Sequence, residues 1–144
     1  MAAKYEFGSR GWFEALRAAI ERTAREAGPE IEGLRWTICE VFLDVPTHLA
    51  QTSDGKAAWH ARVRGREVEF GLGEIDDADL KIVTDYATAL PLARTRLADG
   101  DAQARVTETL AQAVMAGRMQ IHGSLDARPP LFSGLHDEMV LITA

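Results

Sequence analysis

Hydrophobic residues between positions 9 and 27 recur at helical spacing, with Trp12, Phe13, Leu16, Ala19, Ile20 and Ala24 on one side. Ser9 is placed to cap the start and Gly28-Pro29 to close the end, so the pattern predicts one amphipathic helix. Glu21 and Arg25 fall one turn apart on its wet side, glutamate first, as an ion pair prefers. Such a helix needs a flat apolar partner. Residues 35–45, RWTICEVFLDV, are rich in β-formers and stop at Pro46, where a ladder donor is lost. A polar loop over 47–56 carries an Asp54-Gly55 turn signal. Residues 57–64 and 66–72 alternate and meet at Gly65, which predicts a hairpin. A fourth strand is expected over 79–84. Asp85 then caps a helix through YATALPLARTRL, kinked or split at Pro91. Gly100-Asp101 separates this from a helix over 102–116, with Val106, Leu110, Ala113 and Val114 on one face. Residues 118–122 read as a fifth strand. Pro129-Pro130 opens a last helix bearing Leu131, Phe132, Leu135, Met139 and Ile142 on one side, with a terminal strand over EMVLIT as the alternative.

The order of elements lacks a regular βαβ alternation. It predicts an α+β fold, a five-stranded mostly antiparallel sheet with helices packed on one face. Side chains alternate across a strand, so each strand divides into two sets. One set holds Cys39, Val41 and Leu43; Trp59, Ala61 and Val63; Val68, Phe70 and Leu72; Leu80 and Ile82; Met119 and Ile121. The other holds Glu40, Asp44, His60, Arg62, Arg64, Glu67, Glu69, Lys81, Asp85, Arg118, Gln120 and His122, with Phe42 and Val83 as apolar exceptions. The first set is expected beneath the helices and the second in water. On this division His60 and His122 are surface residues, and Glu67 and Glu69 face Arg64 and Arg62 across the hairpin.

Composition narrows the classes. A chain of 144 residues buries roughly 70% of its unfolded surface, enough for one unaided core over residues 1–144. The net charge of −6 argues against nucleic acid, and acidic residues interleave the one arginine cluster, Arg62, Arg64 and Arg66. A single cysteine, Cys39, excludes an intramolecular disulfide, and its place in the apolar set reads as structural. No run of eighteen apolar residues and no signal-peptide pattern occurs, so the expected compartment is the cytoplasm, without a membrane span. Nucleophile-elbow, zinc-protease and phosphate-loop motifs are missing, and Gly71-Leu72-Gly73 lacks the third glycine of a dinucleotide site. Neither a cofactor nor a metal is expected, and no catalytic constellation stands out.

Two segments are familiar together. DADLKIVTDYATALPLA over 77–93 and GRMQIHGSL over 117–125 resemble the strand-then-helix segment and the glycine-bounded strand of the sterol carrier protein type two family, in its bacterial form. AAWHARVRGREVEFG upstream is similar to that family's strand-turn-strand hairpin. The resemblance spans about residues 36–135 and includes the order of elements. It implies a five-stranded sheet packed by helices that enclose an apolar tunnel for lipids or other hydrophobic molecules. Between Pro91 and Gly117 this chain carries an added helix, placed to narrow or cap the cavity.

The residues expected to line it are Trp59, Phe70, Ile82, Leu90, Met115, Met119, Phe132, Leu135 and Met139, all large, apolar and on converging faces. A filled core would use the same residues, and only a void separates the two readings. The expected function is binding or transfer of a fatty acyl or sterol-like molecule. Two alternatives stand beside it. One is a cofactor-independent enzyme with Glu40, Asp85, Tyr86 or His122 as acid or base; the other is an interaction module, such as a homodimer, with a filled core.

Overall fold

The computed structural model describes residues 3–144, apart from the side chain of Ala127. The first element is the helix α1, Arg10–Glu26. Ser9 caps it by accepting from the Trp12 backbone N–H, and its buried stripe is the six residues that the periodicity selects. Glu21 pairs with Arg17 at 2.8 Å, one turn back, rather than with Arg25.

The strands β1 (Arg35–Leu43), β2 (Ala57–Arg64), β3 (Glu67–Leu72), β4 (Leu80–Asp85) and β5 (Met119–His122) form one sheet in the order β3-β2-β1-β4-β5. β1 and β4 run parallel; every other neighbouring pair is antiparallel. The β2–β3 hairpin turns on Gly65-Arg66, with Gly65 at φ +59°, the left-handed value its first turn position requires. Its register sets Arg62 opposite Glu69 and Arg64 opposite Glu67. Arg62 nevertheless finds its carboxylate elsewhere, in a two-pronged bond to Asp77 at 2.9 and 3.0 Å.

Three further helices complete the fold: α2 (Tyr86–Ala93), α3 (Ala102–Met115) and α4 (Leu135–Ile142). Pro91 lies in the last turn of α2, which ends at Ala93; lacking an N–H, it cannot make the helical bond back to the Ala87 carbonyl. Pro130 opens a short 3-10 turn, Pro130–Phe132, and the segment after it is helical rather than a terminal strand. The chain ends meet: Tyr5 N donates to Ile142 O at 2.7 Å, and Ala144 N to Tyr5 O at 2.8 Å. Above this seam Phe7 is the hub of an aromatic cluster, 4.9 Å from Trp12, 5.0 Å from Phe42 and 5.3 Å from Tyr86 between ring centres.

One strand faces the opposite way from its expected orientation. Glu40 lies opposite Trp59 and beside Ile82, so Trp36, Ile38, Glu40 and Phe42 form the inner face of β1. Cys39 and Val41 lie on the outer face, where they pack with Ala58 in a small second core covered by Ile75, Ala78, Leu43 and Val83. The connection over 73–79 supplies the cover, and so β1 is apolar on both sides. The other four strands keep the expected phase, although Leu72, at the end of β3, is 52% exposed rather than covered by the helices.

Cys39 is fully buried, and burial pushes its thiol up from the ordinary value. The folded protein is therefore expected to react with a thiol reagent no faster than it opens. Labelling of Cys39 at the rate of a free cysteine would contradict this placement.

Candidate functional site

Between the inner face of the sheet and the helices lies a cavity of about 490 Å³. That volume is in the range of pockets that hold small organic ligands. α1 contributes Trp12, Leu16 and Ile20; α2 contributes Ala89, Leu92 and Ala93; α3 contributes Val106, Thr107 and Leu110; α4 contributes Leu135, His136 and Met139. Each helix exposes its apolar stripe to this space because the sheet residues beneath it are apolar.

Of the nine residues singled out from sequence, Trp59, Ile82, Met119, Phe132, Leu135 and Met139 lie on the wall. Phe70 does not reach it. The ring stacks behind Trp59, 5.7 Å away and nearly parallel, and so fixes the indole from the far side. Leu90 packs against the main core, while its neighbours Ala89, Leu92 and Ala93 face the cavity. Met115 is a correction: it is 88% exposed on the far side of α3. Position 115 is about 200° around the helix from the buried Ala113, so its direction follows from helical geometry alone.

The wall also contains residues that the sequence reading did not select. Trp36 stacks on Phe132 at 6.0 Å between ring centres, and Phe42, Phe7 and Trp12 extend the aromatic lining. Glu40, Arg128 and His136 are the ionisable side chains on it. His136 is held by a 2.8 Å contact to the Thr95 carbonyl oxygen. The other proposed acids and bases lie elsewhere: His122 is exposed, and Tyr86 donates its hydroxyl to Phe7 O at 2.8 Å. His60, on the outer face, is 3.0 Å from Gly73 O through Nδ1.

Glu40 is unusual among these. It sits mid-way along the central strand on the helix-covered face, so the space to which it is partly accessible is the cavity. Burial pushes its carboxyl above the ordinary carboxylate range; the charge of Arg128 draws it only part of the way back. On the same inner face of the sheet, the Trp36 and Trp59 Nε1 atoms and the Thr84 hydroxyl are buried without a hydrogen-bond partner, Trp59 being the residue directly opposite Glu40. Trp12 differs, donating to Thr143 Oγ1 at 3.0 Å. Each orphaned buried donor costs about 1–3 kcal/mol, an expense that a purely structural core avoids.

The raised carboxyl has a consequence for stability. Folded Glu40 holds its proton over a pH interval in which the unfolded chain has released it. Its stabilising effect is thus complete below the ordinary carboxyl range and is lost as pH rises through the folded value. Glu40→Gln removes this titration. Melting curves of variant and parent are expected to agree most closely at and below the ordinary carboxyl range, with the variant gaining as pH rises above it until the folded Glu40 has ionised. An offset independent of pH would contradict a buried, titrating Glu40.

Among the described residues no group of three or more His, Cys, Asp or Glu side chains is arranged to hold a metal ion. No helix among them is long and apolar enough to cross a membrane.

Comparison with known proteins places the architecture. No protein-family model matches the sequence, and no curated protein matches it significantly. Solved structures do match in shape. The sterol carrier protein domain 2 of Helicoverpa armigera aligns with a TM-score of 0.52 at 11% identity, over 96% of this chain and 95% of that one. A crystal structure of sterol carrier protein 2 aligns at 0.48 and 15% identity, over 95% and 96% of the two chains. A conserved hypothetical protein of Thermus thermophilus aligns at 0.45 and 14% identity, over 98% and 90%. The chain has the sterol carrier protein fold, an α+β arrangement with a mostly antiparallel five-stranded sheet. Fold alone does not assign function, which has to be argued from the cavity.

Proposed function

We propose that this protein binds, and hands on by release, one hydrophobic small molecule of fatty acyl or sterol-like size in the cavity beneath its helices. The observation that carries the reading is the cavity itself, about 490 Å³ of space walled by aromatic and aliphatic side chains. Close-packed cores leave few voids larger than a water molecule, so space on this scale is better suited to a guest than to packing alone. The sterol carrier fold supports the same reading by analogy. α3 is the natural gate: it covers the cavity with Val106, Thr107 and Leu110 yet buries little else than Ala102 and Ala113. Glycines at φ +37° and +75°, Gly100 and Gly117, stand just beyond its two ends.

Native mass spectrometry of the purified protein, with and without added fatty acids, fatty alcohols and sterols, tests the proposal. One-to-one complexes are expected. A broad apolar panel that leaves only the free protein would refute it.

A second reading has one observation in its favour, the carboxyl of Glu40 facing the cavity. In that reading Glu40 is the acid or base for a reaction on a bound hydrophobic substrate. Chemical change of a bound guest, lost in Glu40→Gln, would separate it from simple carriage.

A further inference from the structure

The segment that joins α2 to α3 has two sides. Leu97 lines the apolar cavity, whereas Arg94, Arg96 and Asp99 line a separate groove of about 520 Å³. The same division holds on α3, where Val106 faces the cavity and Arg105 the groove, and on α4 with Met139 and Leu141. Lys4, from the N-terminal segment, lines the groove as well. This groove is cationic in an acidic protein. The net charge is −6, yet four of the 16 lysines and arginines gather here against Asp99. Even with a carboxylate counted at Ala144, positive charge is in excess.

The cations are largely unspent. Lys4 and Arg105 take no part in the ion pairs found among the described residues. Arg96 reaches Asp99 only at 3.9 Å, and an exposed pair of that kind contributes little. Arg94 donates through Nε to the Ala144 oxygen at 2.9 Å, which leaves its two terminal nitrogens to bind elsewhere. Like charges repel, so a concavity that gathers them is stabilised when an anion enters. The backbone beneath them is fixed in advance. His136 is 2.8 Å from Thr95 O, and Asp137 accepts from Leu97 N at 2.6 Å and Ala98 N at 3.0 Å, so Arg96 sits on a segment pinned at both sides. Asp137 thus directs both oxygens to the backbone. A carboxylate has two oxygens, which one arginine fork can occupy. A phosphate has at least three acceptor oxygens and up to two charges, enough to engage cations arriving from several chain segments. We infer that this groove is an anion-binding site that takes a phosphate group, presented by a lipid headgroup or by a free phosphate ester. Leu141, 56% exposed on its wall, offers an amphiphilic ligand an apolar footing.

The test has a soluble arm and a membrane arm. Inorganic phosphate is titrated into isotope-labelled protein followed by NMR, with sodium chloride at matched ionic strength as the reference. Flotation is measured with vesicles of pure phosphatidylcholine and of equal parts phosphatidylcholine and phosphatidic acid. Phosphate, and not chloride, is expected to shift the backbone amide signals of Arg94, Thr95, Arg96 and Arg105. Arg96→Gln with Arg105→Gln, two exposed positions, is expected to weaken binding by about 10- to 30-fold, the loss that two cations facing anionic groups entail. Arg25→Gln with Arg35→Gln is the control. It removes the same charge at the end of α1 remote from the Trp12–Thr143 bond and at the start of β1. Its effect should stay under about 3-fold, as screening of distant charges requires. Shifts by phosphate without preference for the phosphatidic acid vesicles assign a free phosphate ester; recruitment that requires phosphatidic acid assigns a lipid headgroup. Equal losses in the two double variants, equal shifts by chloride, or no shift together with no vesicle preference would overturn the inference. Guest binding in the apolar cavity is not read by these measurements, so they succeed or fail apart from the proposed function.

Discussion

Replacing Gly123 by alanine is expected to lower the melting temperature by about 10 °C, a loss of roughly 3 kcal/mol for a domain of this size. Two costs combine. Gly123 has φ +95°, a conformation that a side chain makes expensive, and an added Cβ would overlap the carbonyl oxygen of Asp79. Its neighbours there, the Asp79 carbonyl carbon and Leu80 Cα, would be only 3.2 and 3.3 Å away. Asp79 cannot retreat. Its backbone N–H donates to Thr37 O at 2.9 Å, and its side chain accepts from Thr37 N at 2.8 Å, so β1 grips it twice. Gly73 is the control, with φ +106° but open space around the added carbon. Gly73→Ala should cost only the conformational part, about 1 kcal/mol. Thermal melts of the two variants measure the difference. Equal losses would show that the close approach of Gly123 to β4 contributes nothing.

The importance of Gly123 was visible in the chain, since GRMQIHGSL is one of the two segments that suggested the fold. What made the fold legible was clean alternation. In β2 and β3 polar residues reach water on one side and apolar residues a core on the other, and their register follows the charge pattern, Arg62 to Glu69 and Arg64 to Glu67. β1 gave no such guidance. Its outer face is covered by Ile75 and Ala78, so Cys39 and Val41 are as apolar as any inner residue. Its inner face contains Glu40, the one charged residue in the run Trp36, Ile38, Glu40 and Phe42. Alternation assigned the carboxyl to water because that is where burial energetics normally put it. The residue that misled the strand assignment is the one polar group facing the cavity from the central strand. A usable signal was present in residue size. The set containing two aromatics and an isoleucine is bulkier than the cysteine and valine set, and bulk favours the deeper core.

Cavity walls were less legible than strand faces, because a wall residue and a core residue have the same chemistry. Ala61 shows the point. It is 1% exposed, pairs with Ile38 and Phe70 on neighbouring strands, and nothing in its sequence context distinguishes a filler of core from an edge of empty space. In the structure its methyl group lines the cavity. That makes Ala61→Phe decisive between a binding protein and a filled core. In an open cavity the ring occupies vacant volume, makes new dispersion contacts, and is expected to leave stability unchanged or raise it by about 1 kcal/mol. The ring then takes part of the guest's space, and binding of a fatty alcohol such as 1-dodecanol should fall by at least about 10-fold, or roughly 1.4 kcal/mol. In a filled core the same substitution is overpacking, costing about 1–3 kcal/mol through forced rotamers and backbone shifts. An unchanged or raised melting temperature with weakened binding therefore marks the open cavity, and a lowered melting temperature marks the filled core. A destabilised Ala61→Phe protein that still takes up the alcohol normally would remove this wall, and the guest with it, from the space beneath the helices.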